Sequence, residues 1–137
     1  MAMTHNIIYV ELKMGSSDNG PAWIGHARYS RSGRTIYFNN QAFQTLDGQG
    51  ISGNFFDVET MHEYWISRVK RNQQDRHWSG SGKIKIDKAV VDEYKTIIGA
   101  DDLDLKKYEI VNLDNSDAVK SRTHKIQNQR LDNSSPE

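Results

Sequence analysis

Up to about residue 86 the apolar positions recur with a period of two, the spacing of half-buried strands. NIIYVELKM (6–14) is apolar and β-branched and predicts a strand. AWIGHARYS (22–30) alternates: Trp23, Gly25, Ala27 and Tyr29 fall on one face, and Ile24, His26 and Arg28 on the other. Arg31-Ser32-Gly33-Arg34 supplies a hairpin loop, because Gly tolerates positive φ, and TIYFNN (35–40) is the return strand. QAFQTL (41–46) reads as a short further strand and DGQGISGN (47–54) as a loop. FFDVE and HEYWISRV form the next hairpin, with Tyr64 and Ile66 on one face and Trp65 and Val69 on the other. KRNQQDRHWSGSG (70–82) is a long polar loop, and KIKI (83–86) a short strand.

The period then changes. Val90, Val91, Tyr94, Ile97 and Ile98 form one helical stripe between Asp87, a suitable N-cap, and Gly99, a suitable stop. YEIVNL (108–113) predicts a last strand. From Asp114 onward the apolar residues thin out, so 114–137 is expected to be a disordered tail, with a partner-induced helix at 118–131 as the alternative. The expectation is one domain over 1–113: mostly β with one α-helix in the C-terminal half, as a small bent sheet or an SH3-like barrel. Trp23, Trp65, Tyr64, Phe55 and Phe56 are expected to form its core.

Composition narrows the function classes. The chain has 137 residues, the size of one domain, and no cysteine, which excludes disulfides, thiolate nucleophiles and Cys-based zinc sites. Its start lacks the basic region and apolar run of a signal peptide, and no segment approaches the roughly 20 apolar residues of a membrane span. A cytoplasmic protein is therefore expected. Net charge is zero but unevenly spread: residues 20–86 carry nine Lys and Arg against five Asp and Glu, and residues 87–137 carry eight against eleven.

Three groups of residues bear on chemistry. Asp75-Arg76-His77-Trp78 sits in the polar loop; His77 would serve as acid or base and Arg76 as anion clamp in a metal-independent ribonuclease. Against this, adjacent residues in an extended segment point to opposite faces, and Trp78 would equally plug the end of a barrel. Among the histidines neither H-E-x-x-H nor H-x-H spacing occurs, so no metal site or cofactor is expected. Arg28, Arg31 and Arg34 around one hairpin, with Arg68 and Arg71 on another, interleave with Tyr29, Tyr37 and Phe38. That is the pattern by which single-stranded nucleic acid is held, although a solvated hairpin with snorkelling arginines looks the same in sequence.

The ordered motifs AWIG, SGRTIYF, GNFFDVET, EYWIS and DRHW, over roughly 22–98, resemble a family of small uncharacterised bacterial proteins with no established activity. Some members bear the label of a thiamine-diphosphate-dependent isoprenoid synthase. The residues argue against that activity, since Asp47-Gly48-Gln49-Gly50 only partly echoes the diphosphate motif and one domain cannot house both cofactor half-sites. Where members carry Gly after the DVET turn this chain has Met61, so a differently shaped turn is expected. The reading that results is a non-catalytic binding or accessory module with a basic face for nucleic acid or another anion. A toxin-type RNA-cleaving enzyme using His77, Arg76 and Asp75, and a protein-interaction module, remain as alternatives.

Overall fold

A computed structural model of the chain describes residues 6–13, 20–50, 53–72, 82–116 and 118–122. Among these residues nine strands make a single sheet: β1 (Ile7–Lys13), β2 (Ala22–His26), β3 (Arg28–Tyr29), β4 (Thr35–Phe38), β5 (Gln41–Thr45), β6 (Phe55–Asp57), β7 (Glu63–Arg68), β8 (Ile84–Asp87) and β9 (Tyr108–Val111). A 3-10 turn at Lys88–Val90 leads into α1 (Val91–Ile98).

The order across the sheet is β3-β4-β5-β6-β7-β1-β2-β8-β9. Only Ala27 separates β2 from β3, yet they stand seventh and first in that order. A flat sheet cannot satisfy this, so the sheet curls until β4, paired to β3, comes back beside β2. The Phe38 ring accordingly lies against Gly25, 3.2 Å from where a Cβ would stand.

The curl makes two apolar layers. Its interior holds Ile8, Val10, Ala27, Ile36, Phe38, Phe43, Tyr64 and Ile66. The outer layer holds Ile7, Tyr9, Ala22, Ile24, Ile84, Ile86 and Tyr108, with Val90 and Tyr94 from the helical segment. β1 is therefore buried on both faces, which is why it opens with four consecutive apolar residues, Ile7 to Val10. The helical stripe meets the outer layer, where the Tyr94 and Tyr108 hydroxyls bond each other at 2.8 Å. Asp87 accepts from Ala89 N–H at the start of the 3-10 turn, and Gly99, at φ 71°, ends α1. β8 and β9 run parallel on either side of this helical connection, the arrangement a crossover requires.

Several expectations need correction. Residues 39–40 are not strand but the turn between β4 and β5, with Asn39 at φ 50° and Asn40 at φ 60°, the twist a two-residue hairpin favours. Trp65 is not core: it is 42% exposed, while its neighbours Tyr64 and Ile66 are buried. The part of the expected tail that the structure describes is docked. Residues 118–122 are helical, and Val119 is fully buried against Ala42 and Val58 on the outside of β5. Arg122 reaches Glu59 Oε1 at 3.0 Å and the Asn40 carbonyl at 2.9 Å. Residues 123–137 lie outside the described residues.

Candidate functional site

Strand direction decides which candidate residues meet. β2 and β7 are both antiparallel to β1 and so run the same way, and β3 continues the course of β2. The hairpin after β3 and the segment after β7 therefore leave the sheet at one end. Arg31 and Arg34 stand on the first, Arg71 stands on the second, and Arg68 is the last residue of β7. Cross-strand register relates the two sides: Arg68 is opposite Ile8, and Ile8 is opposite Gly25, three residues before Arg28.

The hairpin tip is well braced. Gly33 adopts φ 78° and donates its N–H to the Ser30 carbonyl at 2.9 Å, closing the turn. The Ser30 and Thr35 backbones pair at 2.9 Å, and Ser30 Oγ accepts from Thr35 N–H at 3.1 Å. Arg31 and Arg34 are thus long exposed side chains on a fixed base.

Arg31, Arg34, Arg68 and Arg71 are all exposed. Among the described residues none of their guanidinium groups makes a hydrogen bond or ion pair. Arg28 differs: it is half-buried and donates to the Ser116 carbonyl at 3.1 Å, tying the C-terminal segment to β3. Carboxylates among the described residues at this end include Asp47, in the loop after β5, Asp87, at the end of β8, Asp92 and Glu93, at the start of α1, and Asp114, whose pKa the backbone N–H of Ser116 and then the charge of Arg28 help to lower. Asp92 lies 3.6 Å from Lys95, and Glu93 lies 3.4 Å from His26.

Tyr29, at the end of β3, is 44% exposed. Its cross-strand partner is Ile36, an interior residue, and directly opposed residues share a face. By the same rule Arg68 shares the face of Ile8. Tyr29 and Arg68 therefore both belong to the concave side of the curl, at its rim. The sequence marks Tyr29 as an aromatic near arginines; its exposure follows only from its place at the strand end.

The remaining candidates do not assemble. Asp75, Arg76, His77 and Trp78 lie outside the described residues. Among the described residues no group of three or more His, Asp or Glu is placed to hold a metal ion. An open cleft of about 400 Å³ lies between Gly20, Ala22, Lys83, Lys85 and Glu109. Its lining mixes both signs of charge, and the Lys85 ammonium is occupied over the Trp23 ring at 5.9 Å. At the opposite end of the curl, Asp57 accepts from Glu59 N–H at 2.8 Å and from Gln41 Nε2 at 3.0 Å, and Gln41 also donates to the Tyr64 hydroxyl at 3.1 Å. Burial pushes the Tyr64 hydroxyl above its ordinary pKa. This network shapes the DVET turn.

No family model matches the chain, and no curated protein and no solved structure matches it either. Among the described residues no helix is long and apolar enough to cross a membrane.

Proposed function

We propose that this protein is a non-catalytic binding module that holds an anionic ligand at the end of its curled sheet. The observation that carries the reading is the set of four exposed guanidinium groups, Arg31, Arg34, Arg68 and Arg71, left without ion pairs among the described residues. The whole chain has equal numbers of acidic and basic side chains. Four unmatched cations gathered at one end therefore set up a local positive potential that the net charge conceals. Guanidinium suits this role, because its planar fork pairs two donors with a phosphate or carboxylate and its charge survives at any ordinary pH. The β2–β3 bend, which returns the pairings of β4 to β7 toward β1, favours an SH3-like barrel over an open bent sheet.

The test is a fluorescence titration of a labelled polyanion, such as a heparin fragment, at several salt concentrations. Binding should weaken with salt, and the Arg31→Ala/Arg34→Ala double variant should bind less tightly with a shallower salt dependence. Absence of binding even at low salt would sink the proposal. The alternative of an RNA-cleaving enzyme using Asp75, Arg76 and His77 is decided by a gel: RNA cut by the wild-type chain and left intact by His77→Ala would overturn the non-catalytic assignment.

A further inference from the structure

We infer that the anion held at this end is single-stranded nucleic acid, with Tyr29 as the surface on which a base stacks and Arg68 on the same concave side. The inference rests on the anion-binding reading and narrows it.

Two observations carry it. Tyr29 is 44% exposed at the rim, although its parity is that of Ala27 and Ile36, which are buried inside the curl. The ring is thus an extension of the interior face, left open where the interior ends. Arg68, in the interior row of Ile8, is also exposed. An aromatic face and a cation on one concave surface, flanked by Arg31, Arg34 and Arg71, match the two needs of a single strand: a platform for bases and charge for phosphates.

The ring discriminates between anions. Free phosphate or a base-free polyphosphate engages the arginines and has nothing to place on Tyr29. In a duplex the base faces are already stacked on one another, so the ring finds only sugar and phosphate. Only an unpaired strand offers both a π-face and a backbone. Recognition of this kind is tolerant of sequence, because every base has a face to stack.

The experiment compares three labelled probes on the full chain. These are a single strand of about twelve nucleotides, within the roughly 4–16 that one small β-barrel covers, a duplex of the same length, and a polyphosphate chain. The single strand is expected to bind tightest. Tyr29→Ala should weaken it by about 5- to 100-fold, the range for losing one stacked base, while changing polyphosphate binding by less than about 2-fold and leaving the thermal midpoint in place. Tyr29→Phe should retain binding. Tyr29→Leu, which keeps apolar bulk and removes the π-face, should behave as Tyr29→Ala and guards against a folding effect. Arg68→Ala should weaken both single strand and polyphosphate and make the single-strand salt slope shallower by about 0.7, one phosphate contact. Equal binding of all three probes, or indifference of the single strand to Tyr29→Ala, would overturn the inference and leave the anion reading intact. Failure of all three probes to bind at low salt would overturn both.

Discussion

Glu11 lies directly opposite Trp65 across the β1–β7 pair, and the carboxylate is the buried member, 4% exposed against 42% for the indole. A charged group is buried at tolerable cost only when it is bonded. Glu11 meets that condition by accepting from the Tyr9 hydroxyl on one oxygen and from Lys13 Nζ, at 2.9 Å, on the other. The indole rests on the rim of this polar row. Trp65→Ala is therefore expected to cost about 1 kcal/mol or less, well under the 3–5 kcal/mol of a large truncation in a core. Glu11→Ala should cost more, about 1–3 kcal/mol, because it removes the buried acceptor of Tyr9 and Lys13. Urea titrations of the two variants read the order directly. A larger loss for Trp65→Ala would contradict the placement of these side chains.

Met61 holds φ 67° in the turn between β6 and β7 and is 60% exposed. The turn is set before it: Asp57 Oδ1 accepts from Glu59 and Thr60 N–H, and the Asp57 carbonyl accepts from Met61 N–H at 2.7 Å. A residue in the left-handed region must follow, and Met fills the place at a steric cost of about 1–2 kcal/mol. Glycine removes that cost and loses some of the gain to its freer unfolded chain. Met61→Gly should therefore raise stability by about 0.5–1 kcal/mol, seen as a midpoint some 2–4 °C higher. A lower midpoint would show that the side chain matters more than the backbone angle.

Periodicity explains why some of this was legible in the sequence. β1, β4 and the stripe of α1 each show their burial in local spacing. Asn39-Asn40 carried a hairpin signal, but it reads as the end of a strand when TIYF is extended through it. Trp65 was misplaced because both faces of EYWISRV carry apolar side chains, so alternation gives the period without the phase. Val119 was missed for the opposite reason: one apolar side chain in a polar run makes no stripe, and its burial depends on Ala42 and Val58 far upstream. The arginines of the candidate site were identifiable by type. That Arg28 stands apart from them was not, since its acceptor, Ser116, is 88 residues away.

The docked C-terminal segment can be measured by difference. A chain ended after Arg122 keeps Val119 in its pocket and the Arg122–Glu59 pair, and a chain ended after Asn115 has neither. The shorter chain should melt at least about 4 °C lower, the equivalent of roughly 1–2 kcal/mol. Val119→Ala in the longer chain should cost about 1–2 kcal/mol by itself, at roughly 0.8 kcal/mol per buried methyl-sized group. Equal midpoints for the two truncated chains would mean that residues 116–122 add nothing to the fold.

Acidification should loosen the same segment through Asp114. Its carboxyl is held below its ordinary value of 3.8, chiefly by the backbone N–H of Ser116, then by the Ser116 side chain, with the charges of Arg28 and Arg122 adding to the effect. The Ser116 N–H donates at 2.9 Å, and Asp114 N–H in turn donates to Asn39 Oδ1 at 2.9 Å. Because the folded-state pKa lies below the unfolded one, the ionised form favours the folded chain. That contribution is complete above the unfolded value and is lost as pH falls through the folded value. Arg122 does not titrate in this window, since its bond to Glu59 raises its pKa further. The midpoint difference between the chains ended at Arg122 and at Asn115 should therefore hold steady from neutral pH to a little above 3.8 and narrow below it. In the Asp114→Asn variant of the longer chain the difference should start smaller at neutral pH and narrow less. An identical profile with and without the substitution would assign the acid sensitivity to another carboxylate and remove Asp114 from the device that holds the segment down.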